Sequence, residues 1–181
     1  MQALAGQAKT LRELLKGIAR EQRRAKAAAP APSRTTAAAN TVRRALRPIS
    51  NARGALTQPV VGTLTGRYGE KTDAGFARKG MTLAAPPGAQ VTATYDGTVV
   101  YAGKFRGYGL LLIIDHGEGY HTLLAGMTRI DVEQGQQILA GEPVGVMDNA
   151  ANGQPILYVE LRRDGQPINP QPWLAARKGE V

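Results

Sequence analysis

The stretch YGLLLIIDHGEGYHTLLAGM, residues 108–127, decides the fold. Two apolar runs flank Gly117–Glu118–Gly119, and glycines on both sides of a polar residue are typical of a tight turn. The pattern predicts two neighbouring antiparallel strands joined by a short hairpin. Neither run approaches the length of about 18 apolar residues that a membrane-spanning helix requires.

Similar short apolar runs, separated by glycine, proline and aspartate, extend in both directions from this hairpin. Asp96–Gly97 lies between QVTATY and TVVYAG and predicts a second hairpin turn. In GQQILAGEPVGVM, residues 135–147, three glycines stand beside alternating apolar residues, as in a bent barrel or sandwich. We therefore predict a mainly β domain over residues 58–176, built as a compact antiparallel sheet or barrel-sandwich.

The first 57 residues differ in composition from the rest. They contain 12 Lys/Arg and two Asp/Glu, whereas residues 58–181 contain 11 Lys/Arg and 12 Asp/Glu. All nine aromatic residues lie between Tyr68 and Trp173. Because the basic segment has no aromatic side chain on which bases would stack, we predict no nucleic-acid partner. The chain has no cysteine, which excludes disulfides and thiolate metal ligands.

Two helices are predicted before the β domain. Residues 1–29 carry apolar side chains at heptad spacing and are predicted to be the end of a coiled coil. Residues 30–57 form an Ala/Pro-rich linker with a short amphipathic helix at 40–50. The apolar residues of the first helix are Leu4, Leu11, Leu14 and Ile18, and those of the second are Val42, Ala45, Leu46 and Ile49.

The N-terminal residues are charged and lack the apolar run of a signal peptide. About three heptads are marginal for a coiled coil alone. Either the protein is cytoplasmic, or the chain is the C-terminal part of a longer precursor whose coiled coil continues upstream; the heptad pattern favours the second.

Five ordered segments resemble a lysostaphin-type (LytM) domain, the domain of zinc endopeptidases that cut peptidoglycan cross-links. The segments are RKGMTLAAPPGAQVTA, DGTVVYAG, YGLLLIIDHGEGYHTLLAGM, VEQGQQILAGEPVG and LYVELRRDGQPINPQPWL. Within that family the chain is most similar to EnvC-like murein hydrolase activators, which combine a coiled coil, a connecting arm and a degenerate LytM domain. The resemblance implies a periplasmic protein that activates zinc-dependent N-acetylmuramoyl-L-alanine amidases during septal peptidoglycan splitting. It also implies that the upstream coiled coil is recruited to a division-site membrane complex.

The positions that match the family's zinc ligands hold other residue types. Its first motif, His-x-Gly-x-Asp, matches residues 78–82, so that Arg78 replaces a histidine and Thr82 an aspartate. Gly126 stands where the family has a catalytic histidine. The final His-x-His motif matches Ile156 and Tyr158. Because zinc catalysis needs about three N or O ligands and a proton acceptor, we predict no metal, no cofactor and no hydrolytic activity.

The former substrate groove is predicted to bind the partner instead. Alternation along YVELRR places Tyr158, Glu160 and Arg162 on one strand face, where the resemblance places the lost ligand. Tyrosine and arginine are typical interface anchors. The alternative is a solvated face with a Glu160–Arg162 pair. The predicted groove residues are Arg78, Lys79, Thr82, Leu111, Leu124, Tyr158 and Arg162.

Helix 40–50 is a candidate autoinhibitory helix, which we call the brake. Its small apolar face needs a surface to pack against, and the tethered domain is the nearest one. We expect it to dock beside the Tyr158–Arg162 groove until the upstream coiled coil moves; the alternative is a spacer packed elsewhere.

Two other functions remain open. The domain could hold peptidoglycan without cutting it, through Tyr158, Tyr120 and Arg78. A hydrolase with relocated ligands is less favoured. His116 is expected to have a structural role in the turn, and a new metal site is a minor alternative whose ligands would be Asp115, His116, Glu118 and His121.

Overall fold

A computed structural model describes residues 2–27, 47–149 and 153–175 of the protein. The chain divides into two compact units, Met1–Ala45 and Leu46–Val181. In the first unit, helix α1 spans Gln2–Ala27 and buries Leu11, Leu15 and Ile18 on one face. The prediction of an N-terminal helix is therefore confirmed. Within the described residues, no helix has both the length and the apolar character needed to cross a bilayer.

The described part of the second unit is mainly β, as predicted. Two single-turn 3-10 helices, Ile49–Asn51 and Gln171–Trp173, lie near its two ends. The strands are β1 (Thr63–Gly66), β2 (Met81–Ala84), β3 (Gln90–Thr92), β4 (Gly97–Phe105), β5 (Gly109–Gly117), β6 (Tyr120–Ile130), β7 (Gln137–Ile138), β8 (Pro143–Met147), β9 (Ile156–Arg163) and β10 (Gln166–Ile168).

The ten strands named above pair antiparallel, in the order β1-β2-β9-β6-β5-β4-β7. In addition, β10 pairs with β9, and β8 pairs with both β3 and β6. The sheet packs one face onto a hydrophobic core to which the central strands contribute Leu112, Leu124 and Val159. The opposite face carries the candidate site.

The β5–β6 hairpin is confirmed. Gly117, Glu118 and Gly119 all have positive φ angles, of 81°, 53° and 80°, so two of the three turn positions suit glycine and the third strains a glutamate. The carboxylate of Glu118 accepts hydrogen bonds from the backbone N–H and the hydroxyl of Ser50, at 2.9 and 3.0 Å. These bonds fasten the turn to the segment that begins the domain.

The predicted hairpin at Asp96–Gly97 is wrong. The chain does turn there, but β3 pairs with β8, whereas β4 pairs with β5 and β7. The reason lies in the residues before the turn, because Ala93 exchanges backbone hydrogen bonds with Gly141 and Glu142. The Asp96 carboxylate also accepts a hydrogen bond from the Ala140 N–H at 2.9 Å.

The domain begins earlier than residue 58. Ile49, Ala52 and Leu56 are buried in a second core cluster with Tyr95, Tyr120 and Leu161. Val42, Ala45 and Leu46 of the predicted helix 40–50 lie outside the described residues. Residues 47–48 are not helical, and Ile49 belongs to the core face of the sheet, so it cannot belong to a helix that docks in the groove.

Candidate functional site

Strand β9 divides its side chains between the two faces of the sheet as the sequence predicts. Leu157, Val159 and Leu161 point into the core clusters. Tyr158, Glu160 and Arg162 therefore lie on the opposite face. We call this opposite side the groove face.

One row of residues crosses the groove face from β1 to β4. Residues directly opposite each other on antiparallel strands share a face, so the strand register identifies the row. It contains Gly66, Thr82, Tyr158, Ala125, Leu111 and Gly103. Three of its six members, Gly66, Ala125 and Gly103, have little or no side chain, so Tyr158 is the largest group on the row.

Glu160 organises the polar groups of the face. Its side chain is fully buried, and its Oε2 accepts a 2.7 Å hydrogen bond from the Tyr158 hydroxyl. Its Oε1 accepts the Nε–H of Arg162, whose Nη1 also donates to the carbonyl of Gly165 at 3.2 Å. A buried carboxylate and a buried guanidinium compensate each other's charge, and removing either leaves the other unpaired.

This burial contradicts part of the predicted groove. Only 3% of Arg162 is exposed, so it does not present a free side chain at the surface, and the Glu160–Arg162 pair is not a solvated one either. The role visible in the structure is to neutralise Glu160, which in turn holds the Tyr158 hydroxyl.

Tyr158 remains a neutral hydrogen-bond donor. Burial, together with the neighbouring Glu160 carboxylate, raises the pKa of Tyr158 far above its ordinary value of 10. The side chain is half-buried, so the hydroxyl is committed to Glu160 while part of the ring reaches the surface.

Arg78 and Thr82 meet at the β1 end of the row. A Cβ atom placed on Gly66 would lie 2.5 Å from Thr82 Oγ1 and 3.0 Å from Arg78 Cζ, so both side chains converge there. Thr82 lies opposite Tyr158. The structure therefore brings together three of the positions that the resemblance gives to metal ligands. Lys79 is exposed beside them.

A zinc ion does not fit this set of side chains. The guanidinium of Arg78 has no lone pair to donate and carries a permanent positive charge. The phenol of Tyr158 is protonated and bonded to Glu160. Over the residues that the structure describes, no three or more His, Cys, Asp or Glu side chains are grouped so that they could hold a metal ion.

Gly126 cannot take a larger residue without a change in the backbone. Its φ angle is +102°, a region that L-residues avoid, and a Cβ atom would lie 2.2 Å from the carbonyl oxygen of Ile156. A histidine at the family's catalytic position is thus incompatible with this backbone. Ile156 itself is 42% exposed.

The two predicted leucines differ in position. Leu111 lies on the groove row, although it is fully buried. Leu124 was assigned to the groove wrongly. It lies opposite Leu112 and Val159 and is buried in the core, because the hairpin register pairs Leu111 with Ala125 rather than with Leu124.

Tyr108 is a site residue that the sequence analysis missed. It lies in the turn between β4 and β5, and its ring centroid is 5.9 Å from that of Tyr158. Burial and the Glu160 carboxylate raise the pKa of Tyr108. An aromatic residue just before the strand that supplies Leu111 was the available signal.

Tyr120 cannot contact a glycan, because it is 3% exposed and packs against Trp173 with ring centroids 5.1 Å apart. It therefore drops out of the peptidoglycan-binding alternative.

The histidines have separate environments. His116 is buried, its Nδ1 bonds the Asp96 carbonyl at 2.8 Å, and its Nε2 bonds Thr122 Oγ1 at 2.7 Å. Burial lowers the pKa of His116 to about 4. Because both ring nitrogens are occupied and Glu118 binds Ser50, the minor metal-site alternative loses two of its four ligands. The Nε2 atom of His121 lies 3.8 Å from Oδ1 of Asp115.

Residues 77–170 match the profile of peptidase family M23. The chain belongs to this family. The chain is 40% identical over 123 residues to the murein hydrolase activator EnvC of Escherichia coli, an alignment that covers 67% of this chain and 29% of EnvC. It is 36% identical over 100 residues to the murein hydrolase activator NlpD of the same organism, covering 55% of this chain and 26% of NlpD.

A solved structure shares the fold. The catalytic domain of the prophage-encoded M23 protein EnpA from Enterococcus faecalis superposes with a TM-score of 0.55 at 25% identity, over 72% of this chain and 99% of that domain. The predicted LytM fold and the resemblance to EnvC-like activators are confirmed. This chain spans less than a third of the length of the two activators.

Proposed function

We propose that this chain is a non-catalytic activator of cell-wall N-acetylmuramoyl-L-alanine amidases, which it binds through the groove face. The observation that carries the proposal is the replacement of the ligand set by Arg78, Thr82 and Tyr158, with the Tyr158 hydroxyl committed to a buried carboxylate. Two relatives are named murein hydrolase activators, which supports the same role.

The surface available to an amidase differs from the set expected from sequence. Lys79 is exposed, and Arg78, Thr82, Tyr108 and Tyr158 are half-buried. A partly exposed tyrosine ring beside a basic side chain is a typical anchor for a protein partner. Arg162 and Leu111 act beneath this surface, since both are buried. Leu124 takes no part.

Location and control belong to the same proposal. We place the protein in the periplasm, where an upstream coiled coil would be recruited to a division-site membrane complex. The linker residues before Arg47 would act as the brake through Val42, Ala45 and Leu46, without Ile49. The amphipathic pattern of that segment supports the brake.

A dye-release assay on labelled peptidoglycan tests the proposal. The chain alone is expected to release no dye, and added to a purified amidase it is expected to raise the rate. Lys79→Glu should raise the chain concentration required for activation by about 10-fold, because it reverses an exposed charge at the binding surface. Arg53→Glu reverses an exposed charge in the segment before β1, away from the groove row, and serves as the matched control.

The same preparation distinguishes the alternative function. A protein that only holds peptidoglycan would sediment with purified peptidoglycan and leave amidase rates unchanged. Dye release by the chain alone, abolished by a chelator, would show instead that the domain is a hydrolase.

A further inference from the structure

Four aromatic rings form a continuous series from the β4–β5 hairpin to the groove face. Tyr101 and Phe105 have ring centroids 5.9 Å apart in an edge-to-face arrangement, and Phe105 and Tyr108 are 6.0 Å apart. Tyr108 continues to Tyr158 at 5.9 Å. We call these four residues the aromatic series.

The strand register places the series beside the groove row. Tyr101, Gly103 and Phe105 alternate along β4 and so share one face. Gly103 lies opposite Leu111, which belongs to the groove row. Tyr101 and Phe105 therefore flank the β4 end of the row.

The rings present apolar surface rather than free polar groups. All four side chains are half-buried. The Tyr101 hydroxyl donates a 2.8 Å hydrogen bond to the carbonyl of Lys104, and the Tyr158 hydroxyl donates to Glu160. Phe105 has no polar atom, so its exposed part gains only from apolar contact.

The β4–β5 hairpin, which carries three of the four rings, is basic. Lys104 and Arg106 are exposed, and residues 97–114 contain no aspartate or glutamate. A surface that combines partly exposed aromatic rings with uncompensated positive charge complements a protein segment that carries apolar and acidic side chains.

We infer that the β4–β5 hairpin extends the amidase-binding surface beyond the former metal site, and that it takes an apolar, acidic segment of the amidase. An apolar side chain of that segment packs on Phe105 and Tyr108, and its carboxylates approach Lys104 and Arg106. This inference rests on the proposed function, because the same amidase would span the groove row and the hairpin.

The test measures binding of the full chain to a purified N-acetylmuramoyl-L-alanine amidase at low and high salt. Phe105→Ala should weaken binding by about 10-fold at both salt concentrations, since it removes an apolar contact. The double variant Lys104→Glu, Arg106→Glu should lower the association rate by about 10-fold at low salt and less at high salt.

Two control variants separate contact from folding. Leu139→Ser removes another exposed apolar side chain, 44% exposed, in the segment between β7 and β8, and should bind as the wild type does. Arg53→Glu reverses a single exposed charge outside the hairpin, and it too should bind as the wild type does. Thermal melting of each variant identifies any that fail to fold, and the charge-reversed variant keeps the test valid if Phe105→Ala is unstable.

The outcomes are distinguishable. If the wild type binds no amidase, the proposed function fails and the inference fails with it. If the wild type binds and both hairpin variants bind equally well, the hairpin inference is overturned and the groove proposal stands. Loss of sedimentation with peptidoglycan in Phe105→Ala, with amidase binding unchanged, would assign the surface to the glycan and likewise overturn the inference.

Discussion

Tyr158 and Glu160, two residues apart on β9, are joined by a 2.7 Å hydrogen bond from the phenol to a carboxylate with no exposed surface. Arg162 supplies the opposite charge. Tyr158 stands at a position that the sequence resemblance gives to a metal ligand, and the buried ion pair fixes its ring there.

Replacing Glu160 should therefore destabilise the whole domain. Glu160→Gln leaves the Arg162 guanidinium buried without a counter-charge, and we expect the free energy of unfolding to fall by about 3 kcal/mol or more. Tyr158→Phe removes only one hydrogen bond and should cost about 1 kcal/mol. Chemical denaturation measures both, and equal losses in the two variants would contradict the role given to the ion pair.

Gly126 should not tolerate a side chain. Gly126→Ala combines a disfavoured φ of +102° with a contact to the Ile156 carbonyl, whereas Gly135→Ala has a φ of +90° in open space. Strain alone costs about 1–3 kcal/mol. We expect Gly126→Ala to lose at least about 2 kcal/mol more than Gly135→Ala in thermal or chemical unfolding. A Gly126→His variant with wild-type stability would show that the backbone adapts.

His116 should make the domain less stable in mild acid. Its folded pKa of about 4 lies below the ordinary 6.5, so the unfolded chain takes up a proton first as the pH falls. The contribution of the neutral ring is complete above pH 6.5 and is lost between pH 6.5 and 4, by about 3 kcal/mol in total. His116→Gln should show a shallower decline over that range. An identical decline in both proteins would mean that other groups cause it.

The segment before residue 58 should matter to the domain's stability. Removing residues 1–46 leaves Ile49, Ala52 and Leu56 in place and should preserve the fold. Removing residues 1–57 takes two fully or almost fully buried large side chains, Ile49 and Leu56, out of the core. At about 2 kcal/mol for each, the loss is about 4 kcal/mol. Equal melting temperatures for the two truncated chains would contradict this.

That comparison also bears on the brake. Only the chain beginning at Arg47 removes the linker while keeping the domain's core intact. If the linker restrains the protein, this chain should activate an amidase at a lower concentration than the full chain does. If the full chain and the chain beginning at Arg47 activate the amidase at the same concentration, the linker does not inhibit activation.

Much of the fold could be predicted because its strongest signals are local. The β5–β6 hairpin and the alternation along β9 follow from glycine placement and from period-two apolar residues, which depend on neighbours in sequence. The pairing of β3 with β8 could not be predicted, since it depends on backbone bonds to residues 141–142, about 50 positions away.

The sequence predicted most of the residues that form the site, but not how exposed their side chains are. The residues facing away from the core on β9 were identified from alternation, yet the sequence does not show that Glu160 and Arg162 bury each other. Leu124 was assigned to the wrong face because a shift of one residue in the hairpin register moves a side chain to the other face of the sheet. Tyr108 was missed because its partner, Tyr158, is 50 residues away in the sequence.

The most direct test of the central claim is amidase-dependent dye release with wild-type chain and with Tyr158→Ala. We expect the wild type to release no dye alone and to stimulate the amidase. Folded Tyr158→Ala should require about 30-fold more protein for half-maximal activation, the loss expected for a tyrosine anchor worth about 2 kcal/mol. Full activation by folded Tyr158→Ala at the wild-type concentration would contradict the claim that the groove face binds the amidase.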